Sequence, residues 1–361
     1  MRSNQSLPTI LVTGATGKTG GSVTSALLRE GYPVRAVIRR EDMRSEQLRS
    51  KGAETVLVNV FDTHSWVSAM RGVKRAYFVP FFDPFMIQSA TAFSVAAREA
   101  RLEAIVQLSQ WIASPRHPSL HTRQLWQTEQ LFSAIPGVAH TILNPGYFAD
   151  NILRLMDFAT VLGIYPNLTA ESLSAPISNE DIARAAVALL KDPDAYAGKS
   201  YRPTGPELVN GAEIARTLAS VLGKRVASVP MPMWMMLRAA KIQKVNPFEL
   251  DGFRFYVQDH LQGAFEVEGV NSVLEDLTGK PAEPFSKTVE RYSANPRNQR
   301  NAANWWRVFV QFNLVPFVPG YDFDRIATSQ GFPRQSHSEF TLESETWRMS
   351  HLNIQGTGGI A

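Results

Sequence analysis

No cysteine occurs among the 361 residues. Disulfides, thiolate metal ligands and a cysteine nucleophile are therefore excluded. The seven histidines show no ligand spacing with carboxylates, so no metal site is expected. Blocks of like charge are also missing: 37 Lys and Arg stand against 33 Asp and Glu, and the formal net charge of +4 reads as spread along the chain. Nothing in that distribution calls for a nucleic-acid partner. Long hydrophobic runs are absent too. The most apolar late stretch, Trp305 to Val318, is interrupted by Arg307, Gln311, Asn313 and Pro316 and is too short to span a bilayer. It is expected to dock on the rest of the chain or on a partner subunit, and no membrane partner is expected. The first strand begins at Thr9, which leaves no room for a signal peptide, so a cytoplasmic protein is the default expectation.

What is present is concentrated near the start. Thr9-Ile10-Leu11-Val12 reads as a buried strand, followed by Thr13-Gly14-Ala15-Thr16-Gly17-Lys18-Thr19-Gly20 and a helix expected from Ser22 to Arg29. A second strand, Pro33 to Ile38, completes the context that a dinucleotide turn requires. Gly14 allows the tight turn, Gly17 lets the backbone approach a pyrophosphate, and Gly20 lets the helix pack closely, while free N–H groups at the helix start face the phosphates. Thr16, Lys18 and Thr19 complete the loop. A cofactor with a free ribose 2′-hydroxyl favours an acidic residue about 20 positions past the glycines. Arg39 and Arg40 stand there instead, and guanidinium pairs bidentately with phosphate, which favours NADP(H) over NAD. The competing reading is a solvated pair at a strand end, with Glu41 neutralising Arg40.

The chain continues as strands alternating with helices: a helix from Ser45 to Lys51, a strand from Glu54 to Val60 carrying Asn59 at its end, a helix from Ser65 to Arg71, and a strand from Arg75 to Pro80. Asn59 is a candidate to touch the adenine. The loop Phe81-Phe82-Asp83-Pro84-Phe85 could pack on the cofactor, wall a substrate pocket, or cover the sheet edge. A helix from Met86 to Arg101 and a strand from Ala104 to Leu108 deliver Ser109-Gln110-Trp111. A helix from Thr122 to Ser133 and a strand from His140 to Leu143 deliver Asn144-Pro145-Gly146-Tyr147-Phe148. This alternation specifies a Rossmann-type, doubly wound parallel sheet. A smaller α/β portion is expected beside it, with capping boxes at Ser178…Asp181 and Asn210…Glu213. Helices are expected at Pro232 to Lys244, Phe248 to Leu261 and Asn271 to Leu277. Met231, Met233, Met235 and Met236 form either a pocket wall or a core stripe.

The turn from Gly14 to Gly20, Arg39, and Pro145-Gly146-Tyr147-Phe148…Asn151 resemble the NmrA-like branch of the atypical short-chain dehydrogenases. So do Ile177-Ser178-Asn179-Glu180-Asp181, Ala197-Gly198-Lys199-Ser200-Tyr201…Thr204-Gly205-Pro206-Glu207 and Glu213-Ile214-Ala215…Leu222-Gly223-Lys224. The resemblance spans roughly residues 8 to 292. It implies an NADP-binding portion over 1–150 with sheet returns from 175–205, a substrate-binding portion over 151–292, and an extension over 293–361 outside the family's usual length. That extension, rich in aromatics, is expected to wrap the parent fold, close the pocket or make a homodimer contact. Its last residues, Gln355 to Ala361, are expected to fray. In activity the resemblance implies either an NADPH-dependent reductase of a small molecule or a catalytically silent NADP(H) sensor acting through a protein partner.

Hydride transfer belongs to the cofactor, and the protein must supply a proton or polarise the acceptor. Typical short-chain dehydrogenases use a Tyr and a Lys four residues later. The matching region, His117 to Glu129, contains neither, and the register places Leu125 where relatives often have a lysine. Substitutes within reach are Ser109, His117, His121 and Tyr147. Either histidine is a proton donor near neutral pH or a surface residue, and Tyr147 either meets substrate or fills the crevice. Loss of the pair favours the sensor. The aromatics Phe81, Phe82, Trp111, Tyr147 and Phe148 suit a reductase of a flat quinone, enone or imine.

Overall fold

The computed structural model describes residues 7–352, with the side chain of Leu352 excepted. The expected fraying of Gln355 to Ala361 falls outside them. Seven strands form one parallel sheet: β1 (Ile10–Val12), β2 (Val34–Ile38), β3 (Glu54–Leu57), β4 (Arg75–Phe78), β5 (Ala104–Leu108), β6 (Ala139–Leu143) and β8 (Ser200–Tyr201). Their order is β3-β2-β1-β4-β5-β6-β8. The order reverses between β1 and β4, and the loops that leave those two strands part there to open a crevice. Thr13 closes its floor: its hydroxyl donates to Val79 O at 3.0 Å and accepts from Val79 N at 2.6 Å.

Both sheet faces are apolar, as a parallel sheet covered by helices requires. Ile10, Val12, Val34 and Ala36 pack with Val23 and Leu27 of helix Lys18–Arg29 and with Ile182 and Leu189 of helix Asn179–Lys191. Leu11, Phe78 and Ile105 on the other face meet Trp66, Phe93 and Phe132. The doubly wound sheet is thus the one that the alternation specifies.

Local boundaries move for identifiable reasons. The first helix starts at Lys18, not Ser22, because Gly17 adopts extended backbone and acts as its N-cap. Asp42 and Asp62 cap the next two helices and draw their starts to Met43 and Thr63. At Ser178 only half of the expected box forms, since Asp181 spends its carboxylate on Arg184 at 2.6 Å and on Glu283 N at 2.9 Å. The box at Asn210 and Glu213 is complete.

A second, two-stranded parallel sheet pairs β7 (Ile164–Asn167) with β9 (Ala227–Pro230). Each strand contains a proline, which hides it from sequence pattern and is tolerated because both strands are edges. A third core surrounds this sheet, built on Tyr147, Met156, Tyr165, Leu218, Tyr256, Phe265 and Phe285. Trp347 from the extension completes it.

The extension is ordered through helices Ala302–Leu314, Phe323–Ser329 and Glu345–Leu352. Buried and partly buried hydrogen bonds fix it. Arg123 donates to Pro333 O at 3.1 Å, Thr341 N to Asp259 Oδ1 at 3.1 Å, and Trp347 Nε1 to Trp111 O at 2.7 Å. Among the described residues no helix is long and apolar enough to cross a membrane.

Candidate active site

The glycine turn is built for close approach. Gly14 lies at φ +61°, and a Cβ on Gly20 would stand 2.4 Å from Gly14 O, a contact that side chains do not make. Gly17 offers no side-chain cap to helix Lys18–Arg29. Its first-turn N–H groups are therefore left to an anion. Beyond β2, Arg39, Asn59 and Phe81 line one cavity of about 360 Å³ with Val58, Val60 and Phe61. The Arg39 guanidinium lies 5.4 Å from the Phe81 ring centroid. The acidic neighbours are engaged elsewhere: Glu41 pairs with Arg49 at 2.9 Å, and Asp42 holds Arg44 at 2.6 Å and Arg40 at 3.3 Å. The reading in which Glu41 neutralises Arg40 is thus corrected. Arg40 is bound to Asp42 on the surface, and Arg39 has no carboxylate partner among the described residues.

Lys18 points across the crevice to Asp150, Nζ to Oδ1 at 2.5 Å, and Tyr292 donates its hydroxyl to the same oxygen. Thr19 donates to Asn179 Oδ1 at 2.7 Å. Thr16, Gly17 and Lys18 also line a second groove with Arg29 and Arg44. Pro145 faces the central cavity, whereas Gly146 turns its N–H to Pro203 O at 3.0 Å and packs on Thr204.

The central cavity, about 230 Å³, lies where the loops after β4, β5 and β6 converge under helix Pro247–Leu261. Its walls include Val79, Phe82, Leu108, Leu125, Phe148 and Tyr256, and its polar lining includes Ser109, Gln110, His121, Arg154 and Glu249. Leu125 faces into it, so the expected lysine position presents an isobutyl group. Phe82 stacks on His121 at 4.0 Å.

The four candidate proton donors separate. Ser109 lines the cavity and donates its hydroxyl to Glu129 Oε1, which also accepts from Asn144 Nδ2 at 3.0 Å. Burial pushes the Glu129 carboxyl up to about 7, opposed by its bond from Ser109 and by the Arg202 charge. His121 lines the cavity too, but burial lowers its pKa to about 3 and Nδ1 has no partner. It is neutral at physiological pH. His117 is corrected on both alternatives: it is neither exposed nor in the cavity. Its Nδ1 accepts from Ser119 N at 3.0 Å, so Nε2 carries the proton to Asp259 Oδ2 at 2.6 Å. That imidazole braces the same carboxylate that receives Thr341. Tyr147 is buried against Tyr256, His260 and Phe265 and outside the cavity lining, and burial raises its phenol further. It fills the core behind the crevice. The methionines answer to neither expectation, since only Met236 is buried and none lines the cavity.

Glu129 is the group that sequence reading passed over. The available signal was a carboxylate four residues after Leu125, on the face of helix Leu120–Ser133 that also carries buried Thr122. Arg154 had no comparable signal.

These features define a Rossmann-type α/β protein with a crevice of nucleotide-binding form at the carboxyl edge of its sheet. Residues 7–108, the segment carrying the glycine turn and β1 to β5, match the model of the NmrA-like family. The chain is 25% identical over 289 residues to an NAD(P)H azoreductase of Xenophilus azovorans, covering 79% of this chain and 98% of that one. In fold it is similar to an NADPH-dependent quinone oxidoreductase of Escherichia coli, at TM-score 0.66 and 21% identity over 78% of this chain and 99% of the other. A triphenylmethane reductase of Citrobacter sp. gives TM-score 0.66 and 20% identity over 79% and 99%. No metal-binding cluster of His, Asp and Glu is found among the described residues.

Proposed function

We propose that the protein is an NADPH-dependent reductase of a flat, activated small molecule such as a quinone, azo compound, enone or imine, working without the Tyr/Lys pair. The observation that carries the reading is the cavity itself: apolar walls, one side chain from the glycine turn (Thr19), and a hydroxyl backed by a buried carboxyl. The NAD(P)H azoreductase relative and the reductase folds support the same class.

The chain's residues fit the cofactor. The uncapped helix start receives the pyrophosphate, the Arg39, Asn59 and Phe81 cavity receives the adenosine end, and Arg39 meets the 2′-phosphate. Bound there, NADPH supplies a hydride. With Glu129 protonated, Ser109 would give its hydroxyl proton to the oxygen or nitrogen of the acceptor while taking the Glu129 proton. This leaves the carboxylate to which the Ser109 hydroxyl donates until solvent reprotonates it; Glu129 is thus a positioning and reservoir group for Ser109. Neutral His121, stacked on Phe82, orients a flat ring. Residues 1–150 hold the cofactor and share the substrate cavity with 151–292, while the described part of the extension, 293–352, braces that cavity from outside.

NADPH fluorescence titration, continued as an oxidation assay with quinones, azo dyes, enones and imines, tests this reading. Tight binding with turnover is the expected result. Tight binding with no turnover on any acceptor refutes the reductase and leaves the sensor.

A further inference from the structure

The charge that reads as evenly spread in sequence is segregated in one respect. No carboxylate occurs from 214 to 248 or from 291 to 321; besides Arg216, Arg291 and Arg307, which pair with carboxylates from outside, these stretches hold Lys224, Arg225, Arg238, Lys241, Lys244, Arg297 and Arg300. The two stretches meet in space. Helix Met233–Ile242 packs against 315–317 and helix Ala302–Leu314, with Arg238 donating to Pro316 O at 3.3 Å and Lys241 to Pro319 O at 3.0 Å. Lacking carboxylates, the two cations take carbonyls and ring faces: Arg238 lies over Trp234 and Lys241 over Tyr321.

The same surface is apolar at its centre. Helix Ala302–Leu314 docks through Val308, which packs on Phe158 and Val161. Its other side carries Trp305, Phe309 and Phe312 at the i, i+4, i+7 spacing of one face, with Trp306 beside them, and all four are exposed. Trp305 and Phe309 stack at 4.9 Å, and Trp306 lies against both, at 6.4 and 6.0 Å between ring centroids. Trp306 is 61% exposed and Phe317, at the tip of the following turn, 83%, with Trp234 and Leu314 exposed as well. The helix thus has one docked seam and a second, exposed aromatic face.

We infer that this face docks on a membrane surface containing anionic lipid. Trp and Phe rings enter the boundary between headgroups and acyl chains, and Leu314 and Phe317 go with them. The rim cations reach headgroup phosphates, each long side chain keeping its charge in the polar layer. Complementary charge decides among occupants. A second copy of the chain would bring two predominantly cationic rims together, with Asp322 and Asp324 at one edge of each, which like-charge repulsion opposes. Stacked nucleic-acid bases would use the aromatic faces but leave Leu314 and the Phe317 tip without a partner. An anionic lipid surface answers both the rim and the centre. The aromatic helix is too short and too interrupted to cross the bilayer, and lying on it needs neither length nor apolarity all round.

Sedimentation of the full-length chain with vesicles of phosphatidylcholine alone, and of phosphatidylcholine mixed in equal parts with phosphatidylglycerol, tests the inference. Binding to the mixed vesicles is expected to be stronger on the order of tenfold or more and to weaken with added salt. Tryptophan fluorescence is expected to be partly quenched by brominated phosphatidylcholine in those vesicles, since of the seven tryptophans Trp66, Trp111 and Trp347 are buried, Trp126 is half-buried, and Trp234, Trp305 and Trp306 are exposed. The double variant Trp306→Glu, Phe317→Glu is expected to lose at least about tenfold in vesicle binding, and Lys244→Glu with Arg300→Glu to lose the phosphatidylglycerol preference. Both are expected to keep the parent's far-UV circular dichroism and NADPH titration. Absence of binding to either vesicle overturns the inference, as does equal binding by the Trp306→Glu, Phe317→Glu variant. A concentration-dependent dimer abolished by that variant, or binding of a single-stranded oligonucleotide without vesicle binding, reassigns the face and overturns it equally.

Discussion

Replacing Glu129 by glutamine removes one titratable group while keeping an oxygen that accepts from Ser109 and Asn144. In the native protein burial raises this carboxyl from 4.5 to about 7. Its folded-state pKa lies above the unfolded value, so its contribution to stability is complete below pH 4.5 and is lost as pH rises from there to about 7. Each tenfold change in proton affinity between the folded and unfolded chain is worth about 1.4 kcal/mol, so the loss across that window comes to about 3 kcal/mol. Other titrating groups act alike in both proteins and cancel in the difference. Urea unfolding of parent and Glu129→Gln between pH 4.5 and 8 is the assay, read by linear extrapolation. The stability of the variant relative to the parent is expected to grow by about 3 kcal/mol from the acid to the alkaline end. The fields that reach the site come from Arg202, which Glu268 also faces, and from Glu129 itself, while His351 sits near Arg202. Glutamine changes only one of these. A constant difference across the window would refute a buried carboxyl with a raised pKa, and with it the proton supply to Ser109.

Arg39→Glu is expected to weaken NADPH by about 2–3 kcal/mol and leave NADH nearly unchanged; equal losses in parallel titrations contradict the 2′-phosphate assignment. Gly20→Ala places its Cβ 2.4 Å from Gly14 O and 2.8 Å from Thr13 O. It is expected to cost about 1–3 kcal/mol of stability and most of the cofactor affinity, checked by thermal unfolding with and without NADPH. Trp347→Ala removes a buried indole and its bond to Trp111 O. A loss of about 3–5 kcal/mol is expected, with the extension cut first in limited proteolysis; proteolysis at the parent's rate argues against a fixed extension.

Sequence pattern was most informative where local chemistry is self-contained. The strand, the glycine turn and the helix after it are read from neighbours in sequence, and so are the complete capping box at Asn210 and the left-handed stop at Gly223. The parallel, doubly wound character of the sheet follows from alternation and crossover handedness, whereas its strand order is read only from the folded chain. Legibility ends where a side chain's role is set by residues far along the chain. His117 and His121 are four positions apart and indistinguishable in sequence. One meets Asp259 and the other meets Phe82, and only the folded chain separates a brace from a cavity wall. Glu129 had the same difficulty: a glutamate on a helix reads as solvated until Ser109 and Asn144 are seen to surround it. The prolines of β7 and β9 argue against strands and so concealed the small sheet.

The bonds that tie the extension down have a consequence for how this protein can change. Pro333, Thr341 and Trp347 land on Arg123, Asp259 and Trp111, residues of the segments that carry Ser109, Gln110, His121 and Tyr256 to the cavity. The position of the cavity walls is held in part by a segment more than 200 positions away in sequence from Arg123. Substrate preference can therefore drift through substitutions that never touch the substrate.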